Sequence, residues 1–244
     1  MIVLAGAGVG VSFGLFGAGG SAFATPVLAL LGVPPAIALA SPLPAILPSS
    51  MAGAREYARA GLLDKRIAKL SILAGLPAVI VGAAVGKLLG GDALLLLSGV
   101  MLLAIGVRML LPSGASAVKQ ASRADRTATV VVLAAGAAFL AGMLANGGGF
   151  LLVPLFVVGL GFTAARAAGT ALVAAMALVI PTLFAHWAMG NIDWMVAGSF
   201  ALGMIPASMV GARYGTKLPD GVTRTAFGCA LVLFSVYFLV TRLG

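Results

Sequence analysis

Charge is what this sequence lacks most. Only 9% of its 244 residues are Asp, Glu, Lys or Arg, against about 25% in an ordinary soluble domain. Such a chain cannot cover its surface with polar groups. Cysteine is nearly absent too: Cys229 stands alone, which excludes an internal disulfide and any chemistry needing two thiols. It is expected to be a packing residue inside a span. His186 is the single histidine; beside Trp187 it reads as a packing or interfacial residue at an outer surface. The six acids are Glu56, Asp64, Asp92, Asp125, Asp193 and Asp220, all at the ends of apolar runs or between them. A proton relay inside a membrane needs a buried ionisable group, and none of these six is placed to be one. Ser/Lys and Ser/His pairs inside spans, a His-Glu-x-x-His motif and an intramembrane Asp pair are missing as well, so the parts of a membrane-embedded enzyme are not there. No motif calls for a cofactor or a metal.

What fills the chain is apolar. Hydrophobic residues make up 61% of it, and runs at 36–51, 67–89, 93–111, 129–144, 167–184 and 227–240 approach or reach the roughly 17–25 residues that cross a ~30 Å hydrocarbon core. The fold class is therefore all-α, a polytopic membrane protein; a barrel would show alternating strands of about ten residues. The net charge of +9 lies between the runs without interleaved aromatics. It reads as cytoplasmic loops beside a lipid bilayer, not as a nucleic-acid surface. Residues 1–16 carry no basic leader and read as a retained span rather than a cleaved signal.

The chain repeats itself. Gly14, Gly19, Gly20 and Pro26 recur as Gly142, Gly147, Gly148 and Pro154 at an offset of 128. After one inserted residue the offset is 129: "GLLDK" at 61–65 matches "GNIDW" at 190–194, and Pro77, Gly82 and Gly86 match Pro206, Gly211 and Gly215. The organisation is a first repeat at 1–112, a cytoplasmic linker at 113–126 and a second repeat at 127–244. Each repeat holds five apolar pieces, the second of them only about a dozen residues long and too short to cross unaided. Lys and Arg concentrate in 55–69 of the first repeat, whose counterpart at 186–193 has none. In the second repeat the basic stretch is Arg213, Lys217 and Arg224, where the first has only Lys87. Equivalent loops thus lie on opposite sides and the repeats are inverted, with both termini outside.

Inverted repeats with short, glycine-interrupted pieces at matching positions are a mark of secondary transporters. Irregular backbone at membrane depth is tolerated only inside protein or beside a polar cavity. Gly17, Ala18, Gly19 and Gly20 in one repeat, and Gly147, Gly148 and Gly149 in the other, are expected to break their helices, with the next pieces starting at about Ser21 and Phe150. The pieces that follow would then turn free N–H groups toward a midplane anion. Asn146 adds an amide donor. Ser41 and Thr170 are candidate hydroxyl ligands or, equally, hydroxyls bonded to their own helices; on the offset of 128, Ser41 aligns with Gly169 and Pro42 with Thr170. Ser49 and Ser50 supply further polar atoms beside Pro42, Pro44 and Pro48. The glycine pairs Gly82/Gly86 and Gly211/Gly215 read as close-packing surfaces, Asp64 and Asp193 as helix N-caps. Arg166 and Arg213 read chiefly as topology signals near cytoplasmic mouths, where they could also attract an anion.

The repeated glycine–proline segment, the stretch A-x-[GS]-[TP], the turn G-x-[IL]-D and the helix P-x₄-G-x₃-G together resemble the TauE/SafE family of sulfite exporters and related permeases, over nearly the whole chain. The resemblance implies carriage of a small sulfur-containing or organic anion such as sulfite, sulfoacetate or a related sulfonate. The family's frequent Gly-Thr-Ser is incomplete here, as Ser41-Pro42-Leu43 and Gly169-Thr170-Ala171, and relatives that work through several cysteines do not match a chain with Cys229 alone. The expected function is an exporter in the inner membrane working by alternating access; a channel-like anion pore, a membrane enzyme and a structural subunit are the alternatives. A homodimer is compatible with all of these.

The charge pattern makes one direct prediction. With Cys229 replaced by alanine, Leu62→Cys and Asn191→Cys should react with a membrane-impermeant thiol reagent from opposite faces. Reaction from one common face would overturn the inverted arrangement.

Overall fold

The computed structural model describes residues 1–111, 123–145 and 149–243. Those residues form helices and turns, with no strand among them: α1 (Ile2–Phe16), a 3₁₀ segment (Gly17–Phe23), α2 (Ala24–Leu30), α3 (Pro35–Ala40), α4 (Leu43–Arg59), α5 (Lys65–Leu89) and α6 (Gly91–Leu110), then α7 (Arg123–Met143), α8 (Leu152–Leu160), α9 (Ala164–Ala188), α10 (Trp194–Gly215) and α11 (Asp220–Leu243). Among the described residues seven segments are long and apolar enough to cross a bilayer. Residues 113–122 of the expected linker lie outside the described residues, and α7 begins inside that linker.

The third piece of the first repeat is interrupted at Ser41–Pro42, where α3 stops and α4 starts; its counterpart α9 is continuous. The prolines explain the difference. Proline cannot donate to the helical ladder and clashes with the preceding turn, and Pro42 and Pro44 sit together there. α5 and α10 start alike: the Asp64 carboxylate accepts from the Ile67 N–H at 3.0 Å, and the Asp193 carboxylate accepts from Met195 and Val196 at 2.8 and 3.1 Å. Both satisfy donors that a helix start leaves open.

Packing follows the repeat. α1 lies along α10, and α7 along α5; in each case the first helix of one repeat packs on the fourth of the other. Both pairs run parallel, Gly6, Gly10 and Gly14 facing Phe200, Met204 and Ser208, and Gly82 and Gly86 facing Phe139 and Met143. The pairs α4–α9 and α6–α11, each joining equivalent helices, run antiparallel: Tyr57 beside Gly169 and Gly53 beside Leu172, Gly99 beside Leu239 and Gly106 beside Val232. Backbones touch at these seams. A Cβ on Gly82 would lie 1.9 Å from the Phe139 carbonyl oxygen, and one on Gly211 2.3 Å from that of Val11. In lipid, helix association comes from such close van der Waals contact, because the tails are as apolar as the side chains.

Two expectations are corrected. The left-handed turn glycines pair Gly32 with Gly161 and Gly61 with Gly190, all at offset 129, whereas Pro26 and Pro154 pair at 128. The extra residue therefore lies between Pro154 and Gly161, where α8 is nine residues long and α2 seven. The counterpart of Ser41 is then Thr170, not Gly169, and that of Pro42 is Ala171. Cys229 does not pack: it is exposed, on a helix whose neighbour Gly228 faces α6 at Leu110.

Gly82→Val should destabilise the protein in detergent by about 3 kcal/mol or more, since a backbone carbonyl cannot move aside. Gly8→Ala, with nothing within 4 Å of the new methyl, should leave the melting temperature unchanged or raise it, by at most ~1 kcal/mol of helix propensity.

Candidate functional site at the paired helix breaks

The site is built from two chain reversals. In the first repeat the chain turns at Gly17, with φ 67° and ψ −156°, a region open essentially to glycine. The 3₁₀ segment then runs back along α1. Gly20 lies against Ser12 and Phe13, so closely that a Cβ would sit 2.3 Å from the Phe13 nitrogen, and Phe23 and Val27 line one groove with Ala5 and Val9. The 29-residue apolar segment Ile2–Leu30 is thus a hairpin, not a rod. In the second repeat the equivalent residue is Ala145, at φ 50°, the one non-glycine residue at positive φ among those described. An alanine held there costs roughly 1–2 kcal/mol.

The segments that follow the reversals come together at α9, while the turn residue Gly17 itself packs on Ala168 in its second turn. A Cβ on Gly149 would lie 2.3 Å from the Ala18 methyl and 2.5 Å from that of Ala175, and Ala175 is at the middle of the 25-residue α9. Every residue of the 3₁₀ segment is buried. Gly19 faces the ring of Phe227, 2.7 Å from where its Cβ would stand, and that ring stacks on Phe16 at 4.8 Å. The Ser21 hydroxyl donates to the Ala18 carbonyl at 2.7 Å. Gly19, Gly20, Ser21 and Gly149 therefore share one buried region, and their small size is used for close approach. Asn146, Gly147 and Gly148 lie outside the described residues.

Each reversal leaves carbonyls at the end of the preceding helix, and one side chain from the third piece of the same repeat meets them. The Tyr57 hydroxyl donates to Gly14 and Leu15, at 3.1 and 3.0 Å. His186 Nε2 lies 3.3 Å from the Gly142 carbonyl. A carbonyl only accepts, so Nε2 carries the proton, leaving Nδ1 to accept from the Asn191 amide at 3.4 Å. Tyr57 and His186 correspond at offset 129, and Gly14 and Gly142 at 128. Sequence reasoning missed this pair because the residue types differ; applying the offset to every polar residue would have found it. His186 is buried at 4% exposure, with exposed Trp187 packed edge-on against Trp194 at 6.3 Å beside it.

Ser41 and Thr170 are not brought to the midplane. The Ser41 oxygen accepts from the Asp193 N–H and the Thr170 oxygen from the Asp64 N–H, both at 3.1 Å. Thr170 also donates to the Arg166 carbonyl at 2.7 Å. Each hydroxyl ties the third piece of one repeat to the turn before the fourth helix of the other. The Asp64 turn meets the second turn of α9 while the Asp193 turn follows its last, so the two lie ~30 Å apart along that helix. At the Asp64 end Arg166 pairs with Asp64 at 2.7 Å and stands 4.7 Å over the Phe162 ring, and Arg213 is 3.7 Å from Glu56. The Asp220 carboxylate accepts from the Ala164 N–H at the start of α9. At the other end Lys87, His186 and Asn191 line a cavity of about 180 Å³.

The sequence matches the family described as sulfite exporter TauE/SafE over residues 2–238. It is 28% identical to a "Probable membrane transporter protein" of Xylella fastidiosa (strain Temecula1), covering 98% of this chain and 95% of that one. Two Bacillus subtilis proteins, "Probable membrane transporter protein YjnA" and "YunE", are 22% and 20% identical; the matches cover 88% and 89% of this chain, and 90% and 87% of theirs. No solved structure matches.

Tyr57→Phe keeps the ring and removes the donor to Gly14 and Leu15. It should lower stability in detergent by about 1–2 kcal/mol, read as a reduced unfolding temperature of a protein that still elutes as the wild type does.

Proposed function

Because this chain belongs to the sulfite exporter TauE/SafE family, a family of membrane transporters, we propose that it exports a small sulfur-containing or organic anion such as sulfite, sulfoacetate or a related sulfonate. The chain is a multi-pass membrane transporter and not an enzyme. In our reading it resides in the cell inner membrane, and its two repeats, 1–112 and 127–244, are inverted and rock about a shared midplane site.

The observation that carries this reading is the meeting, at the middle of α9, of the segments that follow the two reversals, with Gly149 packed between Ala18 and Ala175. Irregular backbone at that depth belongs beside protein or a polar path, and discontinuous helices at matching places in two repeats are how secondary transporters build a substrate site. The antiparallel pairing of equivalent helices supports inversion, as does the separation of the Asp64 and Asp193 turns along α9. Two helices that pack across the repeat boundary, α4 and α9, can slide without breaking a covalent connection near the site.

Energetically, export needs no proton relay. At ~100 mV, inside negative, moving one negative charge outward gains about 2.3 kcal/mol, close to a fifty-fold gradient. Asp64, Asp193 and Asp220 are all occupied by helix starts, which leaves them capping roles rather than proton transfer.

Proteoliposomes containing the purified chain should show saturable flux of labelled sulfite or sulfoacetate, inhibited by competing anions and driven by a membrane potential. Flux proportional to concentration, with a single-channel conductance, would favour a pore; no flux of any of these anions would overturn the assignment. Gly19→Ala, which presses on the Phe227 ring rather than on backbone, should slow flux severalfold in protein that remains folded.

A further inference from the structure

Ser49 and Ser50 lie on α4, four and three residues before Gly53. Both are fully buried, at 0% exposure, and neither hydroxyl has a hydrogen-bond partner. Ser12, Thr182 and Ser208, also on helices, donate to carbonyls of the preceding turn at 3.2, 2.9 and 2.8 Å. Burying a hydroxyl without a partner costs about 1–3 kcal/mol, so two adjacent ones are a standing cost to the fold. Packing does not require them. At offset 129 the same two places in the second repeat hold Leu178 and Val179, which are also fully buried.

Their position is set by helix register. α4 runs antiparallel to α9, with Tyr57 beside Gly169 and Gly53 beside Leu172. Residues three and four apart share a helix face, so Ser49 and Ser50 continue the face that Gly53 turns to α9. One further turn brings them level with Ala175, the residue at which Gly149 and Ala18 meet. The 3₁₀ segment also packs on α4. The third unpartnered hydroxyl, Ser71, is on α5, which packs on α9 rather than on α4, and does not belong to this group.

We propose that Ser49 and Ser50 are the hydroxyl donors that hold the transported anion at the midplane, on the first repeat's side of the site. The inference rests on the anion-transport reading above and names its ligand groups. A small oxyanion offers several acceptor oxygens, and each serine offers one O–H donor. Neutral donors suit a transporter: binding must be strong enough to admit the ion and weak enough to release it, whereas a fixed lysine or arginine would hold it. The substrate class is a compact sulfite- or sulfonate-type head group. The donors are asymmetric, since the equivalent places in the second repeat hold Val179 and Leu178, the latter packed on Gly75 of α5.

The test uses the full-length chain carrying Ser49→Ala, Ser50→Ala, both together, or Ser49→Thr and Ser50→Thr, with sulfite and sulfoacetate as probes. Melting temperature is measured without anion in detergent, and half-saturation of flux in proteoliposomes. The alanine variants should melt at the wild-type temperature or higher, because an unsatisfied hydroxyl is removed. The double alanine variant should need at least tenfold more sulfite for half-maximal flux, and the threonine variants should keep most of the wild-type affinity. Unchanged half-saturation in the double variant overturns the assignment, as does a lower melting temperature in the anion-free alanine variants, which would mark the serines as structural. A wild type that carries neither probe overturns the transport reading itself, a result distinct from a wild type that carries sulfite as well as the double variant does.

Discussion

Backbone amides cannot be left bare in hydrocarbon, and this architecture is organised around that constraint. A helix that ends inside a bilayer exposes carbonyls that water would otherwise satisfy. This protein ends one such helix in each repeat, at Gly17 and at Ala145, and in both cases surrounds the end with its own helices. Tyr57 and His186 then reach across from the third piece to the carbonyls released. The same requirement explains why the 3₁₀ segment is buried along its whole length: an irregular stretch is stable at this depth only when walled in by protein.

Walling in a bent segment demands helices that approach closely, and glycine supplies the approach. Along α1–α10 and α5–α7 the contacts run glycine to carbonyl, which draws the outer helices tightly together and leaves α4 and α9 to enclose the reversals. The hydroxyl links from Ser41 to Asp193 and from Thr170 to Asp64 fasten each end of the central pair to the opposite repeat. The core is therefore firm at its ends. Its middle contains Gly149 packed between Ala18 and Ala175, and two hydroxyls without partners on α4.

The two copies share an element order, differ in backbone at Ser41–Pro42 and in the length of the second piece, and differ more in chemistry. Tyr57 stands where the other repeat has His186, Ser49 and Ser50 where it has Leu178 and Val179, Lys87 where it has Thr216. One mouth holds paired arginines and carboxylates; the other holds a lysine, a histidine and an amide around a cavity. In the proposed mechanism, the repeated geometry would give two related conformations of one pathway, and the unequal side chains would let its ends treat an anion differently.

Apolar runs, the doubled glycine–proline segment and the two Asp caps were legible in the sequence because each rests on local physics: span length, backbone freedom at glycine, and an Asp before a helix. By itself the sequence determined an all-α membrane protein whose glycine and proline motifs recur at offsets of 128 and 129, with Gly82, Gly86, Gly211 and Gly215 as contact surfaces. It did not place the inserted residue, because the stretch between Pro154 and Gly161 is apolar on either alignment, and so Ser41 was matched one position away from its true counterpart. Nor did it reveal that Tyr57 and His186 perform the same task, that Cys229 faces outward, or that Ser41 and Thr170 sit at opposite ends while Gly149 meets Ala18. Those facts depend on which helix lies against which, and a residue's pattern along its own helix carries no record of its neighbour across the seam. Only the tertiary structure decided them, because a hydrogen-bond partner over a hundred residues away is chosen by packing.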